Sequence, residues 1–144
     1  MKVLVDTSVW SLALRRKAGD LNRQEQRLTR HLVELIQDDR VVIIGPIRQE
    51  LLSGIRSSTV FERLKRRLRE FDDDVLTSED HESAAELGNT CRAKGLSGSA
   101  IDFLISAVTV RRGLVLFTTD LDFSRYAAAI PLKLHRVAED PSLA

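Results

Sequence analysis

Lys2-Val3-Leu4-Val5-Asp6-Thr7-Ser8 reads as a short apolar strand that ends on a carboxylate. A run with no polar alternation belongs to a strand covered on both faces, as in a parallel sheet. Leu114-Val115-Leu116-Phe117-Thr118-Thr119-Asp120 repeats the pattern far along the chain. In a parallel α/β sheet the ligand crevice lies beyond the carboxyl ends of the strands. Asp6 and Asp120 are therefore expected to meet in one crevice.

After the first strand the sequence predicts a helix over about 7–17, a break at Gly19-Asp20 and a helix over about 21–38. The β-branched run Val41 to Ile44 is a second strand, followed by a turn at Gly45-Pro46 and a helix that ends near Gly54. A charged amphipathic helix covers about 58–71, and Val75-Leu76 is a short third strand. Ser78 caps a helix that runs to about Lys94 and is ended by Gly95. Ser97-Gly98-Ser99 opens a helix over about 100–112. After the strand at 114–118 come a helix over about 122–129 and a last edge strand at Leu132 to Leu134. Strands alternating with helices give an α/β fold, a mainly parallel sheet with helices on both faces.

The 144 residues suffice for one domain, expected to cover 1–144 with its core at about 2–136. An apolar content of 43% excludes a disordered chain. No apolar run approaches the roughly 20 residues that span a bilayer, and Asp6 interrupts any secretory h-region. A cytoplasmic protein without membrane contact is expected. The single cysteine, Cys91, excludes an internal disulfide and a cysteine-rich zinc site. His31, His81 and His135 lack metal spacing and read as surface or core residues, and Trp10 as core or dimer interface, with substrate stacking as the lesser alternative.

A net charge of +1 excludes a polycation. Arginines nevertheless come in groups at Arg15-Arg16-Lys17, Arg63 to Arg69 and Arg111-Arg112. Each is either a phosphate-contacting group or a solvated helix face.

The acids carry the chemistry. Like charges gathered at one crevice are unfavourable unless a cation fills it. Oxygen ligands without histidine or cysteine suit Mg2+, or Mn2+. Asp6 and Asp102 are the primary candidate metal ligands. Asp120 either completes the ligand set or holds a water, and Glu50 reaches in from its helix to orient water or bind a second ion. Asp122 either joins the site or caps the following helix. Taken singly, any of these acids reads equally well as a helix cap or a solvated charge.

Together the motifs resemble a PIN domain. Val3-Leu4-Val5-Asp6-Thr7-Ser8 is similar to its opening strand, and Ile47-Arg48-Gln49-Glu50-Leu51 to its second motif. Ser99-Ala100-Ile101-Asp102-Phe103-Leu104 resembles the third motif, although polar Ser97-Gly98-Ser99 stands in its lead-in. Phe117-Thr118-Thr119-Asp120-Leu121-Asp122-Phe123 resembles the fourth. The small size is similar to VapC-type toxins of toxin–antitoxin pairs. The resemblance implies a magnesium-dependent endoribonuclease with Asp6, Glu50, Asp102 and Asp120 as catalytic residues. It implies an RNA substrate, a cognate antitoxin and a homodimer. Two other readings stand beside it. One is a phosphatase of the haloacid dehalogenase type, which needs a second aspartate where Ser8 stands. The other is a non-catalytic PIN-like RNA-binding module.

Overall fold

The computed structural model describes residues 1–138, so the expected extent of the domain to residue 144 lies partly outside the described residues. Strand β1 (Val3–Val5) leads through α1 (Thr7–Leu14), a 3-10 turn at Ala18–Asp20 and α2 (Arg23–Gln37) into β2 (Val41–Ile44). Helices α3 (Gly45–Leu52) and α4 (Ser58–Leu68) lead to β3 (Asp73–Asp74). Then come α5 (Ser78–Ala93), α6 (Ala100–Arg111), β4 (Val115–Phe117) and α7 (Asp122–Ala127).

All strand pairings are parallel and the sheet order is β3-β2-β1-β4. Val3, Leu4 and Val5 are each 0% exposed. Since successive residues of a strand face opposite ways, both faces of β1 are covered. The chain runs outward from β1 through β2 to β3, then returns to place β4 on the other side of β1. This reversal is the topological switch point, where open α/β sheets form their crevice. Asp6 leaves β1 there, and its amide donates to the Phe117 carbonyl at 2.9 Å, extending the ladder to the point where β4 ends.

The helices obey local rules. Asn22 and Glu25 form a reciprocal capping box on α2, and Pro46 falls in the first turn of α3. Ile47 and Leu51 on α3 are fully buried, which fixes the side from which Glu50 projects. The cap of α5 is one residue earlier than expected. Thr77, not Ser78, is the N-cap, in a reciprocal box with Asp80. Gly45 belongs to α3 instead of a turn.

The third strand also differs from expectation. Val75 is 79% exposed and outside the sheet, and pairing falls on Asp73 and Asp74, opposite Ile43 and Ile44. The cause is side-chain bonding. Arg48 reaches from α3 to Asp73 at 3.0 Å and donates to the carbonyls of Leu68 and Phe71. Arg112 holds Asp74 at 3.1 Å. Ion pairs, not apolar content, set this register. The edge strand expected at Leu132 to Leu134 reduces to one parallel bridge, Leu116 to Leu134.

Trp10 is buried in the core, edge-on to Phe71 with ring centroids 5.1 Å apart. Cys91 is wholly buried in α5, and burial pushes its thiol up, away from nucleophilic use. The histidines are not scattered in space. His31 on α2 and His135 stack with ring centroids 5.0 Å apart and Nε2 atoms 2.7 Å apart, against Phe117.

Candidate active site

The carboxyl end of β1 delivers Asp6 and β4 delivers Thr118 to Asp120. Asp6 stands at the N-cap of α1 but makes no side-chain cap bond, so capping does not account for it. Its Oδ2 instead accepts two hydroxyls, from Thr118 at 2.8 Å and Ser8 at 2.9 Å. These hydroxyls are themselves fixed. The Thr119 amide donates to Ser8 Oγ at 3.0 Å, and the Asp120 amide to Thr118 Oγ1 at 3.0 Å. Asp6 is only 6% exposed, and that burial raises its carboxyl above the usual value despite the bonds from Thr118 and Ser8. Desolvation, not crowding by like charges, is the main cause of that rise.

Glu50 comes in from α3. It is exposed, at the mouth and not against the apolar face, and its Oε2 accepts the Thr7 hydroxyl at 2.9 Å. Asp102 lies in the first turn of α6, where Ser99 caps the helix by accepting the Asp102 amide at 3.1 Å. Asp120 is exposed, and its Oδ1 accepts the Asp122 amide at 2.9 Å, which opens α7. Asp120 thus both borders the site and starts a helix. Asp122 lies in the first turn of α7 and pairs with Arg125, the local role of a helix-start acid.

Asp6, Glu50, Asp102 and Asp120 line one cleft of about 550 Å³, with Ser8, Ser99 and Ile105 in its wall. A hollow of similar size, about 600 Å³, lies among Lys2, Val41 and Leu114, where the strands begin. The sheet rule favours the former. Every charged donor in the cleft is a carboxylate, which suits a hard divalent cation. Among the described residues no three His, Cys, Asp or Glu side chains form a ready-made cage. An open carboxylate rim fits Mg2+, which keeps several waters and takes one or two carboxylates together with phosphate oxygens.

One residue of this region was invisible in the sequence. Tyr126 on α7 is 1% exposed and donates its hydroxyl to Asp102 Oδ2 at 2.8 Å. Burial first, and then the Asp102 charge, push this phenol well above its ordinary value, so it stays a donor. The local signal was Gly98: a side chain there would collide with Tyr126. The basic pair Arg111-Arg112 is committed elsewhere. Arg111 and Arg112 both bind Asp80, which is 1% exposed, at 3.1 and 2.8 Å. They tie α6 to α5 and are not free for phosphate.

The haloacid dehalogenase reading finds no support here. Its second acid position is Ser8, whose hydroxyl is spent on Asp6.

No curated protein is matched by this chain. Among solved structures, FitAcB from Neisseria gonorrhoeae is similar at 22% identity with a TM-score of 0.73, covering 93% of this chain and 96% of that one. VapBC2 from Rickettsia felis, bound to a DNA fragment from their promoter, is similar at 16% identity and TM-score 0.73, covering 94% and 98%. VapBC-1 from nontypeable Haemophilus influenzae gives 15% and 0.71, covering 94% and 97%. At such identities the likeness speaks for the fold. The family model described as PIN domain matches residues 3–129, nearly the whole described chain, and on that match this chain belongs to the PIN domain family.

Proposed function

We propose that this PIN domain is a magnesium-dependent endoribonuclease and the toxin of a toxin–antitoxin pair, held in check by a cognate antitoxin and acting in the cytoplasm as a homodimer. The carrying observation is the convergence of Asp6, Glu50, Asp102 and Asp120 on one cleft at the switch point of the sheet. Similar structures named VapBC and FitAcB support the partner and the biological role.

A divalent cation in this cleft supplies charge neutralisation at a phosphodiester and makes water nucleophilic near neutral pH. Asp6 and Asp102 are the residues that would hold it, with Asp120 at the rim. Ser8 and Thr118 fix Asp6 Oδ2, so that carboxylate does not have to reorganise. Glu50, exposed and steered by Thr7, orients the attacking water and takes its proton. The exposed Arg63, Arg66, Arg67 and Arg69 of α4 and its C-cap have no ion pair among the described residues and are candidate phosphate contacts for RNA.

The purified chain is expected to cut RNA with Mg2+ or Mn2+ and not in chelator. Asp102→Asn is expected to lower the rate by about 1,000-fold or more, the scale of losing catalytic charge stabilisation. Expression of the wild type is expected to arrest growth and Asp102→Asn is not. Cleavage that persists in chelator, or equal growth at equal protein levels, would overturn the proposal.

A further inference from the structure

The ring of Tyr126 is wedged between Phe103, at 5.1 Å between centroids, and Phe123, at 5.6 Å and nearly perpendicular. Its hydroxyl has one proton and two acceptors in view, Asp102 Oδ2 at 2.8 Å and the Ser97 carbonyl at 3.4 Å. A phenol buried only for packing would be satisfied by a backbone carbonyl. Here the shorter bond goes to the carboxylate, across 24 residues of chain. Asp102 Oδ1 has no hydrogen-bond partner among the described residues, while the residue borders the cleft.

Space for this contact is made by Gly98. A Cβ at that position would lie 2.3 Å from the Tyr126 hydroxyl oxygen, 2.8 Å from its Cζ and 3.0 Å from Phe103 Cζ. Neither ring can swing away, because each is packed in the core. Gly98 is not among the glycines with positive φ, so room and not backbone freedom requires it. The polar Ser97-Gly98-Ser99 lead-in thus does two jobs: Ser99 caps α6 and Gly98 admits the tyrosine.

We propose that Tyr126 is a positioning residue for Asp102: by holding Oδ2 it fixes the carboxylate and leaves Oδ1 as the oxygen offered to the cation, with Gly98 as the residue that permits the contact. The inference rests on the divalent-metal reading of the cleft. Outer partners of this kind orient a ligating carboxylate, and their loss typically weakens metal binding by about 10- to 100-fold.

The test is calorimetric titration of Mn2+ into the wild type, Tyr126→Phe, Gly98→Ala and Asp102→Asn, with melting curves in chelator. Tyr126→Phe keeps the ring and its packing. It is expected to bind Mn2+ about 10- to 100-fold more weakly, to melt within a few degrees of wild type, and to recover cleavage as Mn2+ is raised. Gly98→Ala retains the hydroxyl but displaces it, and is expected to lose affinity similarly. Tyr126→Phe binding within about threefold of wild type, while Asp102→Asn binds poorly, would overturn the inference alone. A wild type that takes up no Mn2+ would bring down the metal reading and the inference with it.

Discussion

Asp6 is a buried carboxylate whose negative charge is unfavourable without a compensating cation. Its raised value follows from desolvation, and the two hydroxyls on Oδ2 only partly offset that. The sign is the reverse of the usual salt-bridged acid. An acid whose folded value is raised is least costly when protonated, and stability is lost as pH rises from the unfolded value of 3.8 through the folded one. Asp6→Asn is therefore expected to melt at least as high as wild type in chelator, higher by about 3 °C if the relief is about 1 kcal/mol. It is also expected to lose RNA cleavage and the stabilisation that Mg2+ gives the wild type through binding the folded state. Parallel melts with chelator and with Mg2+ check both. A clear destabilisation in chelator would make Asp6 a structural residue.

Among the elements, β3 and α5 depend on arginines: Arg48, and the Arg111-Arg112 group that the sequence left open between phosphate contacts and a solvated helix face. Asp80 is buried, which by itself would raise its carboxyl, yet the Thr77 amide and then Arg112 and Arg111 hold it below the usual value. Removing Arg112 strips the bonds to Asp74, Asp80 and the Val75 carbonyl together. Arg112→Ala is expected to destabilise by about 2 kcal/mol in denaturant titration, since Arg111 remains to pair Asp80. Exposed Arg69→Ala is expected to change stability by about 0.5 kcal/mol or less. The basic end of α4 carries the opposite expectation. Reversing Arg66 and Arg67 to Glu is expected to leave the melting curve nearly unchanged, weaken RNA binding and flatten its salt dependence. An unchanged salt slope in filter-binding measurements would assign that face to solvent or to a partner.

At the scale of the whole molecule, what was legible in the sequence follows from how local each cause is. Val3 to Val5 and Val115 to Phe117 were readable because a strand buried on both faces must be apolar throughout, and Asp6 and Asp120 because an acid ending such a strand is conspicuous. Glu50 and Asp102 were readable as acids on helices, but their convergence needed the sheet order. Tyr126 was not readable, since its role exists only once α7 lies over the start of α6. The register of β3 was missed because Arg48 and Arg112, from distant elements, set it against apolar content. Nor did spacing show that His31 and His135 would meet. Burial first, then His31 and Arg40, hold His135 below its ordinary 6.5. A histidine depressed in this way contributes stability that is present above 6.5 and lost as pH falls through the folded value. The melting temperature is expected to drop between about pH 7 and pH 5, and His135→Phe to shallow that drop, because Phe keeps the stack and removes the charge. Identical pH profiles for the two proteins would exclude the pair as the cause.

The bond from Thr118 to Asp6 spans 112 residues, and β1 pairs with β4 across a similar length of chain. A ribosome making ~5–20 residues per second needs on the order of 10 s to cover that distance. For that interval the growing polypeptide holds its first aspartate without the strand that completes its surroundings. The cleft therefore assembles only once β4 has been made, and a truncated product that stops before β4 carries Asp6, Glu50 and Asp102 but not the complete cleft. If the chain is a toxin, its own topology delays the harm until β4 has joined β1.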